Sequence, residues 1–295
     1  MISKNDLKLV GISSYNDEFY DFLALVNSNL NNTLSFIDDK RYLKQLNQNL
    51  NITGVITTKE ISNHIIDKKI YVVEDPRYTF FSLQNNFAES IMKSRRFESK
   101  IDVTAKIHKK SFINNHNVII GKNTVIEPNV TILSDVEIGD DSIIRSGAVI
   151  GTEGFEYKKT TKGILSVKHD GKVIIGDNVN IGSNSCISKG FSYRNTIIGN
   201  NSKIDNLVQI SHCVQIGERC LLPASTMVAG SVTIEDDVWI GPGVNISSQL
   251  IIKSGSSITL GSVVMRNVLE NQVVTGDWAI PHSQFLKNLQ KTFKK

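Results

Sequence analysis

The fold is decided by residues 198–264, which read IGNNSKIDNLVQISHCVQIGERCLLPASTMVAGSVTIEDDVWIGPGVNISSQLIIKSGSSITLGSVV. An aliphatic residue stands at every sixth position of this stretch, twelve times in succession. The same period runs through residues 120–150 and 175–187, and an earlier arm at 101–113 is offset by one residue. A period of six fits neither a 3.6-residue helix nor a long alternating strand. It predicts short strands joined by tight corners and wound into a parallel β-helix.

The residues beside each repeated aliphatic position predict how the coil is built. Glycine often follows that position, as at Gly121, Gly139 and Gly199, where a tight corner is expected to need a permissive backbone. Small or β-branched residues such as Ser202 and Val208 stand two positions before it, which suits a narrow interior. Three hexads make one coil, so the 24 hexads predict about eight stacked coils.

Composition narrows the class of protein. The 295 residues include 33 Lys+Arg and 29 Asp+Glu, and the formal charge of +4 is too small to favour nucleic acid as a partner. Hydrophobic residues make up 40%, which excludes a disordered chain. Three cysteines without a CxxC pair predict reduced thiols, and we find no apolar run typical of a signal peptide or a membrane helix. We therefore expect a cytoplasmic protein without a membrane partner.

Changes of pattern divide the chain into three parts. Residues 1–98 alternate apolar runs with helix-like stretches, which predicts a small α/β domain. Residues 99–265 carry the hexads and are interrupted by a loop at 151–174 and by a shorter break at 188–197. Residues 266–295 end in a basic stretch that predicts a short C-terminal helix. In the first part we expect strands at residues 8–13, 33–37, 53–57 and 70–73, and helices at 18–30, at 88–97 and from residue 40 onward.

His212 is the histidine best placed for chemistry. It follows the core position Ile210 by two residues, so it faces outward near a corner. Gly230 comes three hexads later, which is one full coil, and stacking of the coils brings its backbone N–H close to His212. A base beside a backbone donor is the arrangement that acyl transfer requires, and Asp205 is a candidate to orient the imidazole or to bind substrate. An ordinary surface histidine is the other interpretation of the spacing.

No competing chemical motif stands out in the sequence. The six histidines form no HxxxH or HExxH pair and join no cluster of cysteines and carboxylates, so we predict neither a metal site nor a resident cofactor. Cys213 stands beside His212, but adjacent side chains on a strand point to opposite faces, which disfavours a Cys–His nucleophile.

Several segments resemble the family of UDP-3-O-acylglucosamine N-acyltransferases. KIDNLVQISHCVQIG at 203–217 is similar to the active-site segment of that family, and GTEGFEY at 151–157 is similar to its Gly-x-Asp-Gly-Phe-x-Tyr/Phe loop. GKVIIGDNVNIG at 171–182 matches as well. In the first part, LSFIDDKRYLKQL at 34–46 and VVEDPRYTF at 72–80 resemble segments of the nucleotide-binding domain of the family.

This resemblance implies a left-handed parallel β-helix, a nucleotide-binding first domain, and a homotrimer with sites in clefts between neighbouring prisms. It makes His212 the general base and Gly230 the oxyanion donor. It also implies that Phe36 and Tyr42 sandwich the nucleotide base, with packing in the domain core as the alternative for these two rings.

The resemblance further assigns a substrate loop, whose implied contact residues are Glu153, Phe155 and Tyr157. The alternative is that this loop caps a trimer interface without touching substrate. The acyl donor, acyl-CoA or an acyl carrier protein, is expected as a substrate and not as a bound cofactor.

Two departures from the family pattern concern the acyl-donor and sugar-binding region. Ser188 and Lys189 stand where the family has Asp-Arg, and Gln249 stands where it has a second active-site histidine. We therefore favour the related enzymes that use acyl-CoA to acylate the amino group of dTDP- or UDP-linked amino sugars for surface polysaccharides. The lipid A enzyme itself, with a hydroxyacyl carrier protein as donor, is the first alternative. A non-catalytic β-helix that scaffolds or binds glycans is the second.

Overall fold

The computed structural model describes residues 2–12, 19–276 and 281–293. Its first part is a four-stranded parallel sheet with the strands in the order β1-β2-β3-β4. The elements are α1 (Lys4–Leu9), β1 (Phe22–Leu23), β2 (Thr33–Phe36), a 3-10 turn (Lys40–Tyr42), α2 (Leu43–Gln48), β3 (Ile52–Thr57), α3 (Lys59–Ser62), β4 (Lys69–Val72) and α4 (Pro76–Ser94). This is the small α/β arrangement expected from the sequence.

The first predicted strand, at residues 8–13, is wrong, because α1 ends within it at Leu9 and residues 10–12 form no strand. Ser3 caps this helix: its side chain accepts a hydrogen bond from the Asp6 N–H, and the Asp6 carboxylate accepts one from the Ser3 N–H. This local capping box starts a helix just before an apolar run that resembles a strand. Residue 13, at the end of the predicted strand, lies outside the described residues.

Two helix predictions in the same part also need correction. Residue 18 lies outside the described residues, and the remainder of the helix predicted at 18–30 is irregular chain containing β1, which pairs with β2 at the sheet edge. The helix predicted at 88–97 is the end of the longer α4, which begins at Pro76 behind the capping side chain of Asp75.

The rest of the chain winds through three parallel sheets that form the faces of a prism. The strands before the first interruption are β5 (Lys100–Ile101), β6 (Lys106–Ile107), β7 (Phe112–Ile113), β8 (Val118–Ile120), β9 (Val125–Ile126), β10 (Thr131–Ile132), β11 (Val136–Ile138), β12 (Ile143–Ile144) and β13 (Val149–Thr152). A hairpin of β14 (Tyr157–Thr160) and β15 (Gly163–Ser166) then projects from the prism.

After the hairpin the winding resumes, and the strands alternate among the same three faces. They are β16 (Val173–Ile175), β17 (Asn180–Ile181), β18 (Cys186–Ser188), β19 (Thr196–Ile198), β20 (Lys203–Ile204), β21 (Gln209–Ile210), β22 (Gln215–Ile216), β23 (Leu221–Leu222), β24 (Met227–Val228), β25 (Thr233–Ile234), β26 (Trp239–Ile240), β27 (Asn245–Ile246), β28 (Ile251–Ile252), β29 (Ser257–Ile258), β30 (Val263–Val264) and β31 (Val273–Val274). We call the sheets containing β21, β22 and β20 sheets I, II and III; they have eight, eight and nine strands.

The register of these sheets confirms the predicted parallel β-helix. Ile198 pairs with Ile216, and Ile210 pairs with Val228, so partners on neighbouring coils are three hexads apart. The repeated aliphatic side chains and the small residues two positions before them fill the interior, where Ser202 and Ile210 are both 0% exposed. Burial of this continuous aliphatic column is the main stabilising term of the prism.

Most corners of the coil turn through a residue in the left-handed region. In the unbroken stretch these residues stand three positions after the repeated aliphatic residue, as at Asn201 (φ 63°), Leu207 (φ 58°) and Cys213 (φ 60°). The period of six therefore sets the backbone conformation of the corners as well as the burial of the core.

The glycines one position after the aliphatic residue have a different purpose from the predicted one. Gly121, Gly139 and Gly199 are not among the residues with positive φ, so a permissive backbone is not why they are needed. A Cβ built on Gly199 would lie 2.5 Å from the carbonyl carbon of Gly217 in the next coil. These glycines leave room for the neighbouring coil, which stacks at a strand spacing of roughly 4.8 Å.

The first interruption is shorter than predicted and is held against the first domain. Gly151 still belongs to β13 and Val173 already belongs to β16, so the projecting loop comprises residues 153–172 and not 151–174. Its tip binds the start of α4, where the Thr161 N–H donates to Asp75 Oδ2 at 2.7 Å.

The prism also continues beyond the predicted end at residue 265. Val268 forms a bridge with Ile252, and β31 pairs with β29, because the chain makes one more turn after an irregular stretch that lacks the period. The last described element is α5 (His282–Phe293), in the place of the predicted C-terminal helix. In the described ranges, no helix combines the length and the apolar character that crossing a membrane requires.

Candidate active site

One edge of the prism, between sheets I and II, collects both interruptions of the coil. The projecting loop of residues 153–172 follows β13, the break at 189–195 follows β18, and His212 follows β21. Gly230 and Gln249 follow β24 and β27 at the same edge, because these strands of sheet I pair in register. The loop therefore leaves the prism at the edge that carries the predicted catalytic residues.

His212 is held at a corner of the coil. Its carbonyl accepts a hydrogen bond of 2.9 Å from the Ser231 N–H in the next coil. Its ring lies against Gly230, since a Cβ built there would be 2.3 Å from Cε1 and 2.6 Å from Nε2 of the imidazole. Any residue larger than glycine at position 230 would displace the ring.

The backbone N–H of Gly230 is an available donor. The N–H groups of Ala229 and Ser231 on either side are both hydrogen-bonded, whereas the Gly230 N–H donates to no group in the described part of the chain. A donor of this kind beside an imidazole is suited to stabilising the oxyanion of an acyl-transfer step.

The carboxylate that meets His212 comes from the loop and not from Asp205. Nε2 of His212 lies 3.2 Å from Oε2 of Glu156, and only 12% and 13% of the two side chains is exposed. The other oxygen of Glu156 pairs with the Lys158 ammonium group. Asp205 is exposed and, among the described residues, has no hydrogen bond or ion pair with His212, because it follows β20 and lies at a different edge of the prism.

Burial and charge act in opposite directions on this pair. Burial disfavours the imidazolium, but the neighbouring Cys213 and Glu156 side chains outweigh it and raise the pKa of His212 to about 9. Burial likewise opposes ionisation of Glu156, but His212 and Lys158 outweigh it and lower the pKa of this carboxyl to about 2. At neutral pH the two groups therefore form an ion pair in which His212 is protonated.

A second histidine, His169, lies beside the first. Its ring centroid is 5.7 Å from that of His212, and the Phe191 ring lies 5.5 and 5.3 Å from the two. Nε2 of His169 accepts a hydrogen bond of 3.1 Å from the Gly154 N–H. Burial, followed by the charge of His212, lowers the pKa of His169 to about 4, so this ring is neutral at neutral pH.

Sequence reasoning missed both Glu156 and His169. They lie in the loop, where the hexad period is lost and spacing no longer places a side chain. One signal was available: both interruptions leave the coil after a strand of sheet I, which puts their polar residues at the edge of His212. In the described ranges, no three His, Cys, Asp or Glu side chains are placed to hold a metal ion.

A cleft of about 1010 Å³ lies between the first domain, the loop and sheet II. It extends to Cys213 and Ser231, the residues that directly follow His212 and Gly230. Its lining also includes aromatic and cationic side chains, namely Phe36, Tyr42, Arg77, Tyr157, Lys158, Lys159, Tyr193 and Arg194. A cleft of this size accommodates a ligand with a base, a charged linker and a sugar.

The two predicted nucleotide-binding aromatics meet this cleft differently. Phe36 packs against Phe80 and Phe81, with ring centroids 4.6 and 5.5 Å apart, so part of its ring belongs to the domain core. Tyr42 is 40% exposed, with the Arg41 guanidinium 5.4 Å from its ring centroid. Both rings line the cleft, and Tyr42 is the more accessible of the two.

The three predicted loop residues are also placed differently. Tyr157 lines the cleft and is 52% exposed. Phe155 is 88% exposed, and its ring lies 4.9 Å from that of Tyr157, while Glu153 is an exposed side chain outside the lining. The structure therefore brings only Tyr157 of these three to the cleft.

The residues that depart from the family pattern occupy defined places at the same edge. Lys189 is buried, with its ammonium nitrogen 3.9 Å from the Asp135 carboxylate. The Gln249 N–H donates to the Gly230 carbonyl at 3.1 Å, and Gln249 lines the cleft. Gln249 thus lies one coil beyond Gly230 and lines the cleft that extends to Cys213, the residue after His212.

Two family models match the prism. The model described as bacterial transferase hexapeptide (six repeats) matches residues 117–152 and 195–230. The model described as hexapeptide repeat of succinyl-transferase matches residues 172–208 and 213–248. Both matches fall on the coils with the six-residue period.

Curated relatives match about half of the chain. A UDP-3-O-acylglucosamine N-acyltransferase of Caulobacter sp. (strain K31) is 36% identical over 150 residues, which are 51% of this chain and 44% of that protein. One of Methylobacterium nodulans is 44% identical over 131 residues, which are 44% of this chain and 37% of that protein. The chain therefore matches less than half the length of these two relatives.

Among solved structures, the UDP-N-acetylglucosamine acyltransferase from Campylobacter jejuni has a TM-score of 0.52 and 24% identity. The match covers 61% of this chain and 70% of that one. At this identity the likeness shows the fold alone. The chain therefore contains hexapeptide repeats that fold as a left-handed parallel β-helix, and about half of it is similar to UDP-3-O-acylglucosamine N-acyltransferases.

Proposed function

We propose that the protein is an N-acyltransferase, which moves an acyl group from a thioester to the amino group of a nucleotide-diphosphate-linked sugar. The observation that carries this proposal is the imidazole of His212 beside the free N–H of Gly230, next to a cleft of about 1010 Å³ that the adjacent residues Cys213 and Ser231 line. The names of the relatives support the same class of reaction.

The reaction proceeds by direct attack, without a covalent enzyme intermediate. The amine nitrogen attacks the thioester carbonyl carbon and forms the C–N bond, while the Gly230 N–H binds the oxyanion. The proton of the attacking amine passes to Nε2 of His212. The C–S bond then breaks, and His212 returns the proton to the thiolate, so the products are an amide and a free thiol.

We assign the nucleotide to the domain side of the cleft. The base stacks against Tyr42 and the accessible part of Phe36, because flat aromatic rings offer faces for stacking a base. The diphosphate lies toward Lys159 and Arg194, whose cationic groups line the same cleft and suit phosphate oxygens. Tyr157 then lies on the sugar side, between these cations and the edge of His212.

For the acceptor, the names of the relatives favour the first alternative, the lipid A enzyme, over the main expectation from the sequence. The relatives are named for UDP-3-O-acylglucosamine, and the expected dTDP-linked amino sugar has no specific support in them. We therefore propose UDP-3-O-acylglucosamine, or a close analogue, as the acceptor. Acyl-CoA and an acyl carrier protein remain the two candidate donors, since Gln249 and Lys189 differ from the family pattern near the expected donor site.

The test is a transfer assay with each donor and with both UDP- and dTDP-linked amino sugars, followed by thiol release and by mass spectrometry of the amide. We expect His212→Ala to lower kcat by about 10²- to 10⁴-fold, because general base catalysis contributes that much. His64→Ala is the control, since His64 is exposed in the first domain. Near-wild-type turnover by His212→Ala would disprove the assigned base. Absence of thioester cleavage with every acceptor would favour the glycan-binding alternative.

We also propose that the protein assembles as a homotrimer. Leu221 and Trp239 are register partners on sheet III, and they are 39% and 45% exposed. Paired apolar side chains of this size on a flat sheet are suited to burial against another copy. Phe155, which is 88% exposed on the loop, is a second candidate for such a contact. Sedimentation equilibrium tests the proposal, and a single species with the mass of one chain would contradict it.

A further inference from the structure

Glu156 is the group at this site to which the proposed reaction assigns no role. Its Oε2 lies 3.2 Å from Nε2 of His212, so the nitrogen that must accept the amine proton already has a partner. Nδ1 of the same ring is enclosed and has no hydrogen-bond partner in the described part of the chain. In this state, therefore, neither ring nitrogen is open to an acceptor amine.

The loop that carries Glu156 is held firmly on both sides. The Glu156 carbonyl accepts a hydrogen bond of 2.9 Å from the Val167 N–H across the loop. Asn85 on α4 donates to the Ser166 carbonyl and accepts from the Lys168 N–H, both at 2.8 Å. Together with the contact of the loop tip to α4, these bonds fix the backbone from which the carboxylate reaches His212.

Several titratable groups surround the imidazole. Glu156 faces it from the loop, with Lys158 on the far oxygen of this carboxylate. Cys213 adjoins it along the chain, and His169 lies across from it. The charge of Lys189, in the second break, contributes to lowering the pKa of His169. Glu156 is the group that forms an ion pair with the ring, and together with the neighbouring Cys213 it raises the pKa of His212.

The carboxylate also has the chemistry to bind the acceptor. Lys158 shows that Glu156 takes an alkylammonium group on one oxygen while the other faces His212. The amino group of a sugar is an ammonium of the same kind when protonated, and a buried carboxylate is a strong partner for it. An entering acceptor amine can therefore compete with the imidazolium for Glu156.

We propose that Glu156 is a positioning residue that latches the loop over His212: its carboxylate holds the imidazole in a protonated resting form until the acceptor amine takes the place of the ring. The inference rests on the proposed function and adds a step before the chemistry. On acceptor binding, the imidazolium gives its Nε2 proton to water, and an acceptor that arrives as ammonium also gives one proton to water. The neutral Nε2 then accepts the proton of the attacking amine and passes it to the thiolate.

The first measurement does not depend on activity. The full-length protein is labelled with ¹³Cε1-histidine, His212 is assigned by the loss of its signal in His212→Gln, and its titration is followed by NMR. We expect the wild-type midpoint near pH 9 and a decrease of at least one pH unit in Glu156→Gln, because the amide carries no charge. Glu156→Asp should restore a raised midpoint. Glu127→Gln, which removes an ion pair to Arg145 in an early coil, should leave the midpoint unchanged.

The second measurement is the pH dependence of transfer in the same variants. If the latch sets the protonation of His212, the ratio of kcat/KM at pH 7 to kcat/KM at pH 9 rises in Glu156→Gln by about fivefold for a decrease of one pKa unit from about 9, and by more for a larger decrease. A purely structural role of Glu156 would lower kcat/KM equally at both pH values.

The two measurements separate failure of the latch from failure of the proposed function. The latch is overturned if Glu156→Gln leaves the NMR midpoint within about 0.3 pH units of wild type, or if the kcat/KM ratio stays constant while transfer still requires His212. If the midpoint shifts but the protein transfers no acyl group to any acceptor, the result supports the ion pair and rejects the proposed function. Unchanged signals of His64, His108 and His116, which lie outside this site, verify that the variants are folded.

Discussion

Gly230→Ala is the most direct test of the site, because the three heavy atoms nearest to the added methyl group all belong to the His212 imidazole. Its Cβ would lie 2.3 Å from Cε1, 2.6 Å from Nε2 and 3.0 Å from Nδ1 of His212. The backbone of Gly230 is not in the left-handed region, so alanine adds no conformational strain of its own. The variant also keeps the N–H donor. Its effect therefore reports on the position of the ring.

The size of the displacement follows from these distances. Ordinary van der Waals contact begins at 3.4 Å, so Cε1 must retreat by 3.4 − 2.3 = 1.1 Å. Gly154 limits the retreat, since a Cβ there would already be 2.7 Å from Cδ2 of the same ring. A misplacement of about 1 Å costs roughly 10²-fold in rate. We therefore expect kcat to fall by about 10²-fold, with a smaller change in KM for the nucleotide sugar.

The assay is thiol release under saturating donor, with thermal unfolding measured in parallel. Gly243→Ala is the matched control, because Gly243 has open space around it and a φ of +68°, so alanine there strains the backbone without touching His212. The Gly243→Ala variant should have a lower melting temperature than wild type, but it should retain its activity at low temperature. The reasoning is refuted if Gly230→Ala keeps kcat within about threefold of wild type.

Three further predictions concern the cleft, the core and the loop. Tyr42→Ala should raise KM for the nucleotide-linked acceptor by about five- to hundredfold, since one base stack contributes ~1–3 kcal/mol. KM for the donor should stay unchanged, and a rise in both KM values would reject the stacking role. Ile234→Ala should lower the free energy of unfolding by ~2–5 kcal/mol in denaturant titrations, because the side chain is 1% exposed, whereas Val103→Ala, at a residue 98% exposed, should change it by less than about 0.5 kcal/mol. His169 takes up a proton near its ordinary pKa of 6.5 in the unfolded chain and only near 4 in the folded chain, so the free energy of unfolding should fall as the pH decreases from 6.5 to 4. His169→Gln should make this decrease smaller. An unchanged slope would contradict the assignment.

The prism could be predicted because its pattern is local. Each hexad repeats the same burial and the same corner, so a single period fixes strands, core and coil length together. The role of the glycines could not be predicted in this way. At Gly199 the need for glycine comes from the neighbouring coil and not from the local backbone, and a contact between coils leaves no local signal.

The first domain was harder to predict for the same reason. Its central strands β2, β3 and β4 fall where the apolar runs indicated, because buried parallel strands are strongly apolar. At its N-terminus, the strand predicted at residues 8–13 begins inside α1, which ends at Leu9 and is stabilised by the cap at Ser3 and by packing against α4. Such contacts cannot be predicted from the composition of the sequence alone.

The sequence by itself determined the β-helix and the proximity of His212 and Gly230. Because every coil in this stretch has the same length, residues that are one coil apart along the chain lie next to each other in space. Only the tertiary structure decided which carboxylate meets the imidazole. Glu156 stands far before His212 along the chain and lies in a loop without the period. Its position depends on hydrogen bonds between that loop and α4, from a different part of the chain, and no spacing within the repeats specifies such a contact.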